Sequence, residues 1–365
     1  MKFKSPLFLF FAVAFICLQC HAQFNEPTIQ FINLFDKDST PNVSCFRIPS
    51  LATAPNGDLI AAVDERVPSC GDLKWSKDIN IVIRRSTDNG KTWLPIQTVV
   101  DYPFGQSASD PSMIVDKVTG EIFLFFNYMD LDKGKDIYFL RYTKSKDNGF
   151  TWSEPVDITA QITNKNWDKD FKFITSGRGM QTVSGKLVHT IVNLQKGLFV
   201  FESNDHGKNW QLIDLAIKPG DESQITEPVA GLWMINSRVN DGSGLRFIHT
   251  STDEGETWNT YADSSLADPG CNAGLLHYSF LKNGDSTNLL IFSNAFSKKD
   301  RENMTISVSD DAGKTWIKHT TIFPGSAAYS SITQLSNGDI GLLFEKDDYG
   351  KIVFVSVSPK WLLSN

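Results

Sequence analysis

Alternation of apolar and polar residues with period two recurs along the chain and predicts short half-buried β-strands. Five stretches rich in β-branched and aromatic residues, DINIVIRRS, DIYFLRYTKS, KGLFVFES, GLRFIHTS and ENMTISVS, lead directly into one octapeptide pattern. The pattern appears as STDNGKTW (86–93), SKDNGFTW (145–152), SNDHGKNW (203–210), STDEGETW (251–258) and SDDAGKTW (309–316). Successive starts lie 59, 58, 48 and 58 residues apart, so a unit of roughly 50 to 60 residues repeats. A hairpin pair precedes each of these strands, as in RIPSLATA-PNGD-LIAAVDER, with Asn-Gly and Gly-Asp at several tips. A sixth strand of the same kind, KIVFVSVS (351–358), has its hairpin but no octapeptide after it. Six hairpins and six third strands predict an all-β, six-bladed β-propeller. The strand-like run TIQFINLF from Thr28 to Phe35 is expected to complete the sixth blade and close the ring.

The octapeptide explains itself as a hairpin turn between the third and fourth strands of a blade. Its Asp accepts backbone N–H bonds, its Gly supplies positive φ, and its Trp covers the base. The same acid on every unit suits a scaffold rather than one site. Strand parity then sorts the remaining polar residues. Arg47, Asp110, Glu222 and Tyr329 stand at first-strand entrances, while Arg66, Asp72, Arg238, Arg301 and Glu345 stand at the end of second strands or in the loops after them. All nine belong to the face opposite the Asp boxes. Any one could be an ordinary solvated loop charge, but nine from different blades sharing one parity predict a single cleft.

Composition narrows the setting. Lys2 and Lys4, the apolar run Leu7–Leu18 and then Cys20-His21-Ala22 have the layout of a secretion signal, with cleavage expected after Ala22. The run is short for a membrane span, and Leu18-Gln19 suits a lipid-modified Cys20 poorly. Residues 23–365 are expected to form one propeller domain, secreted or periplasmic, monomeric and without a membrane span. Removing residues 1–22 takes away two lysines and no acids, so 35 basic against 42 acidic side chains becomes 33 against 42. No basic stripe remains to argue for nucleic acid. Cys45, Cys70 and Cys271 cannot all pair internally; a Cys45–Cys70 disulfide and three reduced thiols both remain open.

On these residues the chain resembles the exo-sialidase (neuraminidase) family, glycoside hydrolase family 33, over its whole mature length. Phe46-Arg47-Ile48-Pro49 is similar to the family's Phe/Tyr-Arg-Ile-Pro motif, and the Asp boxes follow in the family's order. Arg238 lies 16 residues after Glu222, Arg301 lies 28 before Tyr329, and Glu345 lies 16 after Tyr329, spacings like those of bacterial members. The resemblance implies that Arg47, Arg238 and Arg301 hold the sialic acid carboxylate through bidentate, charge-assisted bonds. It implies that Glu345 orients Arg47. A carboxylate nucleophile would meet like charge at the reacting carbon, which a neutral tyrosine avoids. Tyr329 is the implied nucleophile, Glu222 its base, and Asp72 the acid that protonates the leaving oxygen and later activates water, with net retention. Arg66 and Asp110 resemble the family's contacts to the O4 side and the acylamino group. The implied partners are sialylated glycans on glycoproteins or glycolipids, and no cofactor is implied.

Other signals carry less. Trp75 or Phe104 could cover the N-acetyl methyl, although packing is the favoured reading of both, and Gly177-Arg178-Gly179-Met180-Gln181 is read as shaping the cleft floor. The histidines show no close metal-ligand spacing. Asp130, Asp132, Gly134 and Asp136 faintly resemble a calcium loop but read better as a hairpin tip. The sequons at Asn42 and Asn303 flank Arg47 and Arg301, where a glycan would obstruct substrate. Three rival functions remain: a non-catalytic Asp-box binding propeller, a glycosidase for the deaminated sugar, and an intramolecular trans-sialidase.

Overall fold

A computed structural model describes Met1 and residues 29–134, 137–282 and 285–364. Among these residues, antiparallel strands pair in groups of neighbours along the chain. Cys45–Thr53, Leu59–Arg66, Asp78–Ser86 and Gln97–Val100 pair in that order. Gln106–Val115, Ile122–Asp130, Tyr138–Ser145 and Val156–Asp157 do likewise. So do Ser223–Val229, Leu232–Ser237, Leu245–Ser251 and Asn259–Ala267.

The remaining groups depart from simple hairpins. Between residues 172 and 181 the first strand is broken into Lys172–Ile174, Gly177–Arg178 and Met180–Gln181. The outer two pieces pair with Leu187–Asn193, while Gly177–Arg178 pairs in parallel with Ser112–Met113 of the preceding group. Gly177 has φ +104°, and a Cβ there would meet the Gln224 side chain at 2.9 Å, so the close approach requires glycine. Further on, Lys318–Gln334 is one 17-residue strand. Its first half pairs with Glu302–Ser309 and its second with Ile340–Lys346, so it passes from one group to the next, carrying Tyr329. Ile32–Asp36 pairs with the outer edge of Lys351–Val357; Thr28, where that strand was expected to begin, lies outside the described residues, as does the expected signal segment apart from Met1.

Inward-facing apolar residues of adjacent groups interlock into the core. Ile291, Ile306 and Met304 pack with Ile332, Leu342 and Val353, and Phe123 and Phe125 with Leu187, Phe201 and Trp210. Each such side chain contributes about 1.5–3 kcal/mol by leaving water. Among the described residues two short helices, Thr159–Ile162 and Pro359–Ser364, are the α-helical exceptions, and no described helix is long and apolar enough to cross a membrane.

The octapeptides form one repeated turn. In the first, Asp88 Oδ1 accepts from Ser86 Oγ (2.8 Å) and Thr92 N (2.9 Å), Asp88 Oδ2 accepts from Thr92 Oγ1 (2.6 Å), and Ser86 Oγ accepts from Gly90 N (2.8 Å). Asp147, Asp205, Asp253 and Asp311 make the equivalent bonds. Gly90 is pressed against the strand Lys351–Val357: a Cβ there would sit 2.2 Å from the Phe354 ring. Cys45 and Cys70 form a disulfide, and Cys271 is a buried free thiol.

Candidate active site

The end of the strands away from the Asp boxes carries a cleft of about 320 Å³, lined among others by Arg47, Asp72, Asp110, Glu222, Arg238, Arg301 and Tyr329. The antiparallel register accounts for this placement: Leu59 pairs with Ser86 at the box end, and Arg66 with Ile79 at the other. Of the nine site residues expected from sequence, these seven line the cleft, while Arg66 and Glu345 stand behind it.

Glu345 is fully buried and fastens three cleft residues. Its carboxylate accepts from Arg47 Nε (2.6 Å) and Nη2 (3.4 Å), from Ile48 N (2.9 Å) and from Tyr329 N (3.1 Å). Burial opposes charge on Arg47, but Glu345 more than offsets it and holds the guanidinium protonated. At the centre, Tyr329 Oη donates to Glu222 Oε2 (2.6 Å) and accepts from Arg238 Nη1 (2.8 Å). Arg238 Nη1 also donates to the same Glu222 oxygen. Burial and the adjacent Glu222 raise the Tyr329 pKa well above its ordinary value, so the resting phenol is neutral. Burial likewise raises the Glu222 pKa, against the opposing pull of Arg238.

The second half of the cleft is organised by a residue the sequence reading passed over. Asp64 lies in the same strand as Arg66, two positions away and on the same face. It accepts from Arg66 Nη2 (2.9 Å), Ser109 Oγ (2.5 Å) and Asp110 N (2.9 Å). Arg66, with a side chain 1% exposed, extends from Asp64 to Asp72 Oδ1 (2.8 Å) and the Cys70 carbonyl (2.9 Å). Asp72 itself stands out into the cleft with its side chain 77% exposed. Asp110 has φ +63° and accepts from Asn127 Nδ2 at 3.0 Å. Burial, with the neighbouring Asp64 charge, pushes its pKa up to about 8.

Tyr349 was also missed. Its ring lies 3.9 Å from the Arg47 guanidinium carbon, and its hydroxyl accepts from Arg301 Nη1 at 3.0 Å. Arg301 reaches the Gly270 carbonyl as well (3.3 Å). Asp221 supports Glu222 N (2.8 Å) and Asn240 (2.8 Å) beside Arg238. The two-residue spacing from Arg66, which puts both side chains on one strand face, was the available signal for Asp64; nothing in the local pattern marks Tyr349.

The lesser candidates divide. Trp75 lines the cleft and is 67% exposed, and Phe104 is 70% exposed, so the packing reading of both is corrected. Arg178 bonds the Ile332 carbonyl (2.9 Å) and Ser50 Oγ bonds the Gly177 carbonyl (2.5 Å), so this segment ties inner strands together rather than lining the cleft. Asp130 Oδ1 accepts from Asp132 N (3.1 Å) as in a turn; Asp136 lies outside the described residues. No group of acids, histidines or cysteines among the described residues is arranged to hold a metal ion.

An all-β propeller-type fold with arginines and a tyrosine–glutamate pair gathered at one end is the class of molecule these features define. Residues 58–342 match the family described as BNR repeat-like domain, and the chain belongs to that family. Its resemblance to bacterial exo-sialidases of glycoside hydrolase family 33 stands. The chain is 34% identical over 348 residues to a sialidase of Micromonospora viridifaciens, covering 87% of this chain and 52% of that protein. It is 31% identical over 336 residues to a sialidase of Bacteroides fragilis, covering 83% of this chain and 60% of that protein. The chain thus spans about half to three-fifths of the length of these curated relatives. The solved structure of a Hadza microbial sialidase superposes with a TM-score of 0.80 at 30% identity, covering 88% of this chain and 67% of that one.

Proposed function

We propose that this chain is a retaining exo-α-sialidase that releases terminal sialic acid from glycoproteins or glycolipids through a tyrosyl intermediate. The observation that carries the proposal is the position of Tyr329 Oη, 2.6 Å from Glu222 and 2.8 Å from Arg238, in a cleft that also presents Arg47 and Arg301. Three guanidiniums suit a carboxylate carried on the reacting carbon. With the substrate anion seated there, a neutral phenol approaches where a carboxylate would be repelled.

In the first displacement the Tyr329 oxygen bonds to the anomeric carbon, its proton passes to Glu222, and the glycosidic bond breaks as Asp72 gives a proton to the departing oxygen. In the second, Asp72 takes a proton from water, the water oxygen bonds to the anomeric carbon, and Tyr329 leaves, recovering its proton from Glu222. The raised Tyr329 pKa favours this order, since a phenol neutral at rest needs a base in the attack. Arg66 and Asp110 are assigned to the sugar's O4 and acylamino side. Glu345 and Asp64 are assigned to holding Arg47 and Arg66.

The same reading takes the strand groups as six blades, the fifth and sixth sharing Lys318–Gln334 and the last closed by the N-terminal strand. It includes a monomer exported through residues 1–22, which N-terminal sequencing of exported protein tests. The main test is hydrolysis of a fluorogenic α-sialoside by wild type, Tyr329→Phe and Asp72→Ala. Wild type is expected to hydrolyse and Tyr329→Phe to be crippled. An inert wild type sinks the enzyme and leaves a binding propeller; a fully active Tyr329→Phe sinks the mechanism. Mass spectrometry of the product distinguishes free sialic acid from the anhydro sugar of intramolecular transfer, and a deaminated substrate turned over faster would reassign the sugar.

A further inference from the structure

We infer that Tyr349 is a positioning residue that orients Arg47 and Arg301 for the substrate carboxylate without neutralising either; the inference rests on the sialidase reading above. The three cleft arginines are not held alike. Arg47 is paired with Glu345 and Arg238 with Glu222. For Arg301 the side-chain and carbonyl partners are Tyr349 Oη and Gly270 O, both uncharged, and no carboxylate within the described residues forms an ion pair with it. A carboxylate in Tyr349's place would hold Arg301 more firmly but would cancel the charge an anionic substrate needs. A phenol fixes the guanidinium direction through one hydrogen bond and leaves its charge intact. The same ring faces the Arg47 guanidinium at 3.9 Å, an attraction that also leaves that cation's charge in place.

The backbone supports a dedicated placement. Asp347, Asp348 and Tyr349 are three consecutive left-handed residues, with φ of 55°, 50° and 66°. Aspartate tolerates that region; tyrosine does so rarely, and such strain persists where the surroundings over-determine the turn. Ser326 supplies the restraint. Its carbonyl accepts from Asp347 N (3.1 Å), its hydroxyl accepts from Asp348 N (3.2 Å), and the same hydroxyl donates to Asp348 Oδ1 (2.6 Å). Ser326 lies three residues before Tyr329 on the same strand, so the turn holding two arginines is pinned beside the proposed nucleophile. The ring also packs against a cluster of Ile48, Cys271, Ala328 and Tyr329, so a purely structural role is the reading to be separated by experiment.

The test is steady-state hydrolysis of the fluorogenic α-sialoside by wild type, Tyr349→Phe and Tyr349→Ala, with calorimetric binding of N-acetylneuraminic acid and a thermal melt of each protein. Tyr349→Phe keeps the ring over Arg47 and loses the bond to Arg301; KM and the sialic acid Kd are expected to rise about tenfold. Tyr349→Ala loses both contacts and is expected to raise them about 50-fold. In both, the larger change falls on KM rather than kcat, and the pH limbs of kcat stay where the wild type has them. KM and Kd within twofold of wild type in both variants, or a fall in kcat with KM unmoved, overturns the inference. If Tyr349→Ala fails to fold, Tyr349→Phe decides. A wild type that neither hydrolyses the sialoside nor binds sialic acid overturns the sialidase reading itself, whereas an active wild type with indifferent variants overturns only the role of Tyr349.

Discussion

Asp88 and Asp110 stand at opposite ends of the strand groups and carry the same side chain, yet their surroundings drive them in opposite directions. Asp88 accepts hydrogen bonds from its own turn, chiefly the Thr92 hydroxyl and amide, and these hold its pKa down at about 2. Asp110 is half-buried in the cleft wall beside a second acid from another strand group, and desolvation together with that charge pushes its pKa up to about 8. At the box end the hydrogen bonds to each Asp close within eight residues, so the turn is complete wherever the octapeptide occurs. At the cleft end Glu345 reaches Arg47 across 298 residues and Tyr329 reaches Glu222 across 107. A local motif can be repeated five times at little risk. A cleft of shared charges can be assembled only once, and each member there leaves another exposed when removed.

Removal of the carboxylate proposed as the base is the most severe way to test that asymmetry. Glu222→Gln takes away the proton acceptor for Tyr329 and the carboxylate facing Arg238, and kcat is expected to fall about 10³-fold in sialoside hydrolysis. A loss under tenfold would separate Glu222 from the chemistry. Next in size is Glu345→Gln, which leaves Arg47 buried without its counter-charge. Urea unfolding should show a loss of about 3 kcal/mol, the cost of breaking rather than replacing a buried ion pair. Unchanged stability would mean that water or a neighbouring acid compensates Arg47.

The pH dependence should differ in sign between the two ends. Asp110 has a folded pKa above its unfolded value, so the folded chain binds that proton more tightly. Its contribution is present in full below about pH 4 and is lost as pH rises through about 8. Asp88 has a folded pKa below its unfolded value, so its contribution is present above about pH 4 and is lost as pH falls through about 2. Asp110→Asn keeps a residue that tolerates positive φ. Wild type should therefore lose stability relative to Asp110→Asn between about pH 4 and 8, by at most about 1.4 kcal/mol per pH unit. Parallel stability curves across that window would show that Asp110 titrates normally.

The same contrast explains what the sequence disclosed. Hairpin turns and third strands were legible because Ser, Asp, Gly and Trp act within one turn, and strand parity then placed Arg47, Glu222, Arg238, Arg301 and Tyr329 at one end without knowledge of any distance. The broken strand around Gly177 was not legible, because its parallel pairing to Ser112–Met113 is decided by a neighbouring group rather than by local alternation. Asp64 was hidden as one letter of Asp-Glu-Arg, where burial and not composition distinguishes it from Glu65. Tyr349 follows two aspartates in what reads as an ordinary polar turn, and only the tertiary position of Arg47 and Arg301 gives it significance. Trp75 and Phe104 show the opposite error: large aromatics suggest packing, but the loops that carry them leave both rings exposed.

The smallest expected effect is the sharpest check on the separation of the two ends. Asp88→Ala removes the acceptor for the buried Ser86 hydroxyl, which still accepts from Gly90 N, and for both Thr92 donors, which are exposed so that water can take over their bonds. The expected cost in urea unfolding is about 1 kcal/mol, similar to the loss of a helix cap. Catalysis is expected to be untouched, with kcat/KM for the sialoside within twofold of wild type, since none of the residues bonded to Asp88 lines the cleft. Asp253→Ala provides an independent copy of the experiment in another group. A tenfold fall in kcat/KM for either variant at full folding would mean that the strands transmit the turn's geometry to the cleft, and the Asp boxes would then have to be counted as part of the catalytic apparatus rather than as its frame.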